Sequence, residues 1–536
     1  MTVHLAHTDS ILSSLTAYDL SCASLGATKE LELSTSAMVR STGRQTESHE
    51  DGSASAPLTL TDMLHIVPSM FGTMSSDARR TLLTVNRAFR KHMHETADLV
   101  LADWTDVPLI VKGDWACLQS LTLTDDSGSR RSVLRSGASP FPGLQQVHWP
   151  CLKHLSLSKV RLSNITMSQL LEADLPHLED LDLSNSKLTH STLLQLTTLN
   201  KWPLLKRLNL SQNKLDRAGV ALLAQADWPI LQQLVLSKCR LDAACTIFLA
   251  GASWPELKWL HLDSNCFWYQ RHVACWFPSW PLLEYADLSG GPEWGDERPG
   301  AHSVLCAVAN AQWLHLKHLD LSGRHHELES ADVLCLTRGH WPGLSTLSLS
   351  GSLLHCELLE SLAHLVHASW PVLQDLDLSR QCGTDMHTEF GDGDTYWVHG
   401  HAAMLSQGTW PMLKRLNLSH NMMFPGCMPI LAQGQWPLLE ALEMTDCSMD
   451  REDLSDLFMA NWPLIRDLDL SRNSKELRFA KLANNHAILN TWPLLQRLND
   501  VELSFKPAYV DYCSIVQKQT RRRGLGSTVM FPSRQL

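Results

Sequence analysis

Several features that assign a chain to a class are missing from these 536 residues. The 14 cysteines are scattered and form no C-x-x-C pair, which predicts reduced thiols rather than a disulfide-rich secreted domain. No uncharged apolar run reaches the roughly 18 residues that a membrane span needs. The N-terminal stretch "MTVHLAHTDSILSSL" lacks the basic-then-apolar pattern of a secretory signal. We therefore expect a soluble protein of the cytoplasm or nucleus without a membrane partner.

An excess of positive charge is also missing. The formal net charge is −11 and the sequence pI is about 6.2. Proteins that act by neutralising a phosphate backbone have the opposite balance. We therefore expect no nucleic-acid partner.

Motifs of enzyme active sites are absent as well. The sequence contains no G-x-x-x-x-G-K-[ST], G-x-S-x-G or H-E-x-x-H. Short histidine groups such as "HMHE" at 92–95 stand alone in a chain with 26 histidines, which is typical of chance. We predict no enzyme activity, no cofactor and no metal site.

Tryptophan, in contrast, is abundant, with 19 residues against 6 tyrosines. A repeat explains most of them, because Trp-Pro recurs, often at intervals of 26 residues, and Trp115 and Trp313 share the register without proline. A period of 20 to 50 residues indicates a solenoid, propeller or array. The Trp-Pro pairs begin at 149, 202, 228, 254, 280, 341, 370, 410, 436, 462 and 492.

The residues after each tryptophan share one frame. "WPLLKRLNLSQNKL" at 202–215 and "WPMLKRLNLSHNMM" at 410–423 both read W-P-x-L-x-x-L-x-L-S-x-N. This frame resembles the leucine-rich-repeat pattern L-x-x-L-x-L-x-x-N-x-L and continues over residues 104–505 in about 14 units. The resemblance implies an α/β fold, a horseshoe solenoid with a parallel sheet on its concave face.

The spacing of individual residues favours the same arrangement. A short strand would place Leu208 and Leu210 on one side and Arg207 and Asn209 on the other. Asn213 suits a turn in which its amide satisfies backbone groups of neighbouring coils. The apolar residues of "LDRAGVALLAQAD", 215–227, have near-helical spacing and predict a return helix.

The Trp-Pro pair has a structural interpretation. Thirteen exposed indoles would make the protein prone to aggregate, so we expect most of them to be buried. We place Pro203 at the mouth of the strand, where its missing N–H removes no ladder bond. Each indole is then expected to stack on its counterpart one coil away.

Functional information is expected where the repeat varies. On each strand, two non-leucine positions line the concave face, and a third position is nearly always serine, which we interpret as structural. One group on three successive coils combines aromatic and charged side chains, the composition of an interface hot spot, and the rest of the face is acidic, which favours a basic partner segment. The candidate partner-binding residues are Arg207, Asn209, Trp259, His261, Tyr285, Asp287, His318, Asp320, Asp375 and Asp377.

The chain before the repeats has two parts. Residues 1–57 are rich in serine, threonine and alanine and predict a disordered arm. Residues 58–103 contain apolar stripes at helical spacing and predict a small helical module, in which "DMLHIVPSMF", "MSSD" and "TVNRAFR" resemble an F-box. The resemblance implies docking to a Skp-type adaptor of a cullin ubiquitin ligase through Met63, Ile66, Val67, Leu82, Val85 and Phe89.

Two functional hypotheses remain open. In the first, the chain is an F-box/leucine-rich-repeat adaptor whose solenoid recruits a protein substrate. In the second, it is a plain leucine-rich-repeat scaffold or intracellular effector, and residues 58–103 only cap the solenoid. Inserts at 290–303 and 380–401 are either binding loops or tolerated decoration, and residues 506–536 form a basic C-terminal tail.

Overall fold

A computed structural model of the chain describes most of the repeat region. The described residues are 98–101, 115, 117–123, 143–199, 201–267, 277–278, 280–291, 302–323, 328–353, 357–381, 396–473, 492–499 and 501–502. The predicted arm, most of the helical module and the tail lie outside this set, as do the central parts of both inserts.

The chain divides into two compact units. The first comprises Met1–Arg240 with Gly251–Leu257, and the second comprises Leu241–Ala250 with Lys258–Leu536. Each unit is a succession of coils in which a short strand and, in most coils, a helical arm alternate.

The first unit contains a parallel sheet in chain order. Its first strand lies inside the segment assigned from the sequence to the helical module and pairs with the second strand. The 3₁₀ turn Leu144–Gln146 and three helices supply the return arms. The strands are β1 Asp98–Leu101, β2 Ser120–Leu123, β3 His154–Ser156, β4 Asp180–Asp182, β5 Arg207–Asn209 and β6 Gln233–Val235; the helices are α1 Asn164–Glu172, α2 His190–Leu199 and α3 Arg217–Ala224.

The strands of the second unit are also parallel up to its last hairpin, in which β16 runs antiparallel to β15. The strands are β7 Trp259–His261, β8 Tyr285–Asp287, β9 His318–Asp320, β10 Thr346–Ser348, β11 Asp375–Asp377, β12 Arg415–Asn417, β13 Ala441–Glu443, β14 Asp467–Asp469, β15 Arg497–Leu498 and β16 Val501–Glu502. The helices are α4 Cys245–Leu249, α5 His302–Asn310, α6 Ser330–Thr337, α7 Leu358–Val366, α8 His399–Ser406, α9 Met428–Leu431 and α10 Arg451–Leu457. Consecutive helices from α5 to α10 pack against each other.

The core lies between the strands and the helical arms. Leu208 and Leu210 are buried, whereas Arg207 and Asn209 are partly exposed on the other face of β5. The predicted return arm is α3, which begins after Asp216, whose carboxylate accepts the Gly219 N–H. This alternation, repeated from coil to coil, is the α/β leucine-rich-repeat solenoid expected from the sequence.

The tryptophans of the repeat belong to the buried core. All thirteen in the repeat register are at most 4% exposed. Stacking between successive coils is confirmed for Trp228 on Trp254, with ring centroids 6.4 Å apart, and for Trp436 on Trp462 at 5.5 Å. Their burial is consistent with the sequence interpretation of Trp-Pro as a structural element.

The proline has a different position from the one we expected. The Leu205 N–H donates to the Trp202 carbonyl oxygen over 3.1 Å, and the same bond recurs in the other Trp-Pro units. Pro203 is therefore the second residue of a β-turn, where its fixed φ is favourable. The placement at the mouth of the strand is wrong, because the strand is only three residues long and begins four residues later, at Arg207.

A buried polar position joins many of the coils to the one before. The Asn213 amide donates to the carbonyls of Leu210 and Leu183, and its oxygen accepts the Leu188 N–H. This confirms the role predicted for Asn213. Serine, cysteine and glutamine make comparable bonds at the same position, namely Ser186, Cys239, Ser352, Gln381 and Cys447.

One cysteine pair departs from the expectation of reduced thiols. Cys306 of α5 and Cys335 of α6 form a disulfide, with Cα atoms 5.3 Å apart. The two residues are distant in sequence, and only the packing of consecutive helices brings them together.

Within the described residues, no helix is long and apolar enough to cross a membrane.

Candidate functional site

The predicted hot spot forms two rows on β7, β8 and β9. Parallel pairing places Trp259 beside Tyr285 and Tyr285 beside His318. We call these three residues the aromatic row. Trp259 is 39% exposed, His318 is exposed and Tyr285 is half-buried, so the row faces away from the core.

The second row lies two residues further along the same strands. His261, Asp287 and Asp320 are register partners, and we call them the acidic row. The His261 ring lies against the Tyr285 ring, with centroids 4.9 Å apart, and its Nδ1 is 3.9 Å from Asp287 Oδ2. The Tyr285 and His318 rings are 6.1 Å apart. The structure thus brings together all six residues of the predicted hot spot.

Asp263 is a member of this group that the sequence interpretation missed. One donor atom each of His261, Asp263 and Asp287 lies within 4.8 Å of the other two, a spacing that a small cation could bridge. The sequence did contain a signal, because Asp263 is a departure from the serine that occupies this position at 237 and 289.

The acidic row also has a structural role. The Ser289 N–H donates to Asp287 Oδ1 over 2.9 Å, and the Ser322 N–H donates to Asp320 Oδ1 over 2.8 Å. Asn209 and Asn417 make the same bond to the serine two residues later. One side-chain oxygen at this position therefore closes the turn after the strand.

Electrostatics differ among the three ionisable groups at the centre of the site. Burial and the nearby carboxylates of Asp287, Asp320 and Asp263 raise the pKa of Tyr285 to about 12. Burial, opposed by hydrogen bonds from Ser322 and reinforced by Asp287 and Asp377, raises the pKa of Asp320. For Asp287, burial is outweighed by the interaction with His261 and by hydrogen bonds from Ser289, which lower its pKa.

Acidic side chains continue along the second unit. Asp375 and Asp377 lie on β11, where Asp375 is 3.5 Å from the Arg415 guanidinium and Asp377 Oδ1 accepts the Ser379 N–H. Burial, together with Asp377 and Asp469, raises the pKa of Glu443. The face from β8 to β14 therefore carries an excess of carboxylates, and its preference for a basic partner stays a prediction.

Arg207 and Asn209 lie on β5, in the first unit. Arg207 Nε donates to Asp180 Oδ2 over 2.9 Å, and one Nη atom lies 3.3 Å from His154 Nδ1. Asn209 accepts the Ser211 N–H. Both side chains thus have partners within their own unit.

The predicted adaptor-binding residues Met63, Ile66, Val67, Leu82, Val85 and Phe89 lie outside the described residues. The same holds for residues 292–301 and 382–395 of the two inserts. Their roles stay predictions from the sequence.

Comparisons with solved structures include distant similarities. No family model matches the chain, and no curated protein matches it. An internalin from Listeria monocytogenes is 14% identical, covers 69% of this chain and 93% of its own, and has a TM-score of 0.36. A chain in the structure of the yeast Rad7 and Elc1 complex is 14% identical, covers 86% of this chain and 96% of its own, and has a TM-score of 0.40. At these values neither likeness carries an argument about function.

Proposed function

We propose that this chain is a non-catalytic interaction protein that holds a protein partner on the outward face of its parallel sheet. The observation that carries the proposal is the clustering of the aromatic row and the acidic row on β7–β9. Exposed aromatics beside charged groups are the usual composition of interface hot spots.

The bonding within the second unit supports this proposal. Its consecutive strands from β7 to β16 are paired through their backbones, and buried amides such as that of Asn421 link coils from within the core. Side chains on such a surface are pre-organised, so a partner loses little free energy in ordering them.

A finer proposal concerns the ubiquitin system. The F-box-like residues 58–103 would dock a Skp-type adaptor and cullin, and the solenoid would present a substrate to the ligase. The support is the sequence resemblance of "DMLHIVPSMF" and "TVNRAFR" and its position before the repeats.

The adaptor proposal is tested by a pull-down with a purified Skp-type adaptor at micromolar concentration. The full chain is expected to bind, and a chain lacking residues 58–97 is expected not to bind. No binding by the full chain would remove the ubiquitin role and leave the alternative, a plain scaffold or an effector whose 58–103 segment only caps the solenoid.

The interaction surface is tested separately. We expect the double substitution Trp259→Ala with Tyr285→Ala to abolish partner capture from cell extract while thermal unfolding is little changed. Gln233→Ala, at the position of β6 that Trp259 and Tyr285 occupy on β7 and β8, is the control and should retain capture. If the first variant still captures the partner, the inserts become the better candidates.

A further inference from the structure

Arginine–carboxylate pairs recur between neighbouring strands of this protein. Arg207 Nε donates to Asp180 over 2.9 Å, and Arg497 Nε and Nη2 donate to Asp467 over 2.7 and 2.9 Å. In each pair the arginine stands on one strand and the carboxylate at the register position of the strand before it. The sheet face therefore accommodates a guanidinium beside a row of strand side chains.

Strands β7–β9 supply the acceptors for such a group without an arginine of their own. The aromatic row and the acidic row contain neither lysine nor arginine, and the adjoining strands β10 and β11 add Thr346, Ser348, Asp375 and Asp377 at the same positions. Burial and the like charges of Asp287 and Asp377 disfavour ionisation of Asp320. A cation bound from outside would relieve that repulsion.

The aromatic row provides the second half of the recognition. A guanidinium is planar, stacks on aromatic faces and donates to carboxylates through a fixed fork. The Tyr285 ring is tilted by 40° to the His261 ring and by 42° to the His318 ring, so neither imidazole stacks flat on it, and Trp259 is exposed on the neighbouring strand. With strands about 4.8 Å apart, the row from Trp259 to His318 spans about 10 Å. This length can accommodate one extended side chain of a bound peptide and parts of the adjacent residues.

We infer that the aromatic row and the acidic row together form a subsite for an arginine side chain of a basic partner segment, stacked on Tyr285 and Trp259 and paired with Asp287 and Asp320. This inference rests on the proposed interaction surface and specifies its ligand. Lysine lacks the planar group and is expected to bind more weakly. A divalent cation on His261, Asp263 and Asp287 is the competing occupant.

The test uses the full chain and three fluorescein-labelled peptides with the same glycine–serine background, carrying four arginines, four lysines or four glutamates. Fluorescence anisotropy is measured in buffer with EDTA. We expect the arginine peptide to bind about five- to tenfold more tightly than the lysine peptide, and the glutamate peptide not to bind.

Two substitutions locate the subsite. Asp320→Asn retains the turn acceptor, as Asn209 and Asn417 show, but removes the charge. Tyr285→Leu removes the stacking ring. Each is expected to weaken the arginine peptide about tenfold. Asp469→Asn, at the equivalent position of β14 with the same serine bond, is the matched control and should weaken it less than about twofold.

Three outcomes would overturn the inference. The first is equal affinity for the arginine and lysine peptides. The second is an equal loss of arginine-peptide affinity in Asp320→Asn and Asp469→Asn. The third is peptide binding that appears only when zinc replaces EDTA and that is lost in His261→Ala. The Trp259→Ala and Tyr285→Ala double variant separates the two proposals. If it loses partner capture but binds the arginine peptide as tightly as the wild type, the interaction surface is supported and the arginine assignment fails. If capture is unaffected in the double variant, the proposed interaction surface itself fails and the inserts become the better candidates.

Discussion

At the scale of single residues, the polar residue after the central leucine of each strand has two roles, one in recognition and one in the following turn. Sequence variation at this position, as between Asn209 and Asp287, predicted a recognition surface. The structure adds that one oxygen of each closes the following turn. The signal for the turn was visible in the recurring Asp-Leu-Ser and Asn-Leu-Ser triplets, because an Asx side chain commonly accepts a backbone N–H two residues later.

Burial and the local potential could not be derived from the sequence. Alignment of the repeats correctly placed Asp320 beside Asp287 across an overlong unit. The pKa of Asp320 nevertheless depends on how far the coil buries it and on the distance to Asp377, which are three-dimensional quantities.

The charge of Asp320 is expected to cost stability at neutral pH. Its folded-state pKa lies above the ordinary value, so the folded state binds more protons than the unfolded state in that window, and stability falls as pH rises through it. Asp320→Asn should therefore raise the midpoint of thermal unfolding at pH 7, and the gain should shrink as the pH falls through the raised pKa. Thermal melts from pH 4 to 8 measure this.

The opposite effect on stability is expected for Asp467, whose pKa is lowered rather than raised. A hydrogen bond from Arg497 lowers the pKa of Asp467. Asp467→Asn should lower the unfolding midpoint at pH 7, with a difference that disappears as the pH falls. If both variants change stability in the same direction, the electrostatic explanation of Asp320 is wrong.

At the scale of elements, the turn that contains Trp-Pro shows what periodicity can and cannot predict. Burial and stacking of the indole followed from the number of tryptophans. The position of Pro203 did not, because the leucine pattern runs through turn and strand without marking their boundary. Leu205 closes the turn, and the strand begins only at Arg207.

A small residue two positions before the tryptophan is the other part of this turn. A Cβ built on Gly408 would lie 2.4 Å from Trp410 Cζ3, and those on Gly339 and Gly434 would meet their indoles similarly. Alanine takes this position before other tryptophans, as at Ala226 and Ala460. In the three coils with glycine, the indole therefore packs directly on the backbone at the end of the helical arm.

Gly408→Ala is expected to destabilise the second unit by about 1–3 kcal/mol, because the indole or the backbone must shift to admit the methyl group. Gly400→Ala is the matched control in α8, since its Cβ would lie 3.6 Å from Leu359, an ordinary contact. The control should be neutral or stabilising. Denaturant unfolding followed by far-UV circular dichroism compares the two variants, and equal effects would contradict the packing argument.

At the scale of the whole molecule, the repeat made the fold predictable even though the structure of no single coil was. A frame repeated about 14 times outweighs errors in individual units. The feature that ends the parallel sheet and the covalent link between two coils were not predictable. The antiparallel hairpin β15–β16 and the Cys306–Cys335 disulfide depend on contacts that the repeat frame does not specify.

A solenoid of this kind should lose stability locally, because each coil contacts only its neighbours. Trp436 is fully buried, stacks on Trp462 and donates its indole N–H to the Gly408 carbonyl. Trp436→Ala is expected to cost about 3–5 kcal/mol and to accelerate hydrogen exchange at β12–β14. Exchange at β3–β5 should not change.

Hydrogen-exchange mass spectrometry measures this pattern, and Trp259→Ala, which removes a partly exposed indole, is the control. It should leave exchange near the wild-type level in every coil. A uniform acceleration in Trp436→Ala would show a single cooperative domain instead.

The contrast between the shielded indoles and Trp259 has an optical consequence. The thirteen indoles in the repeat register are at most 4% exposed, whereas Trp259 is 39% exposed. A charged collisional quencher such as iodide reaches only solvent-exposed rings, so among the tryptophans that the structure describes it should reduce the emission of Trp259, at the red edge, before that of the shielded indoles. The molecule thus carries an intrinsic fluorophore on the surface proposed for partner binding.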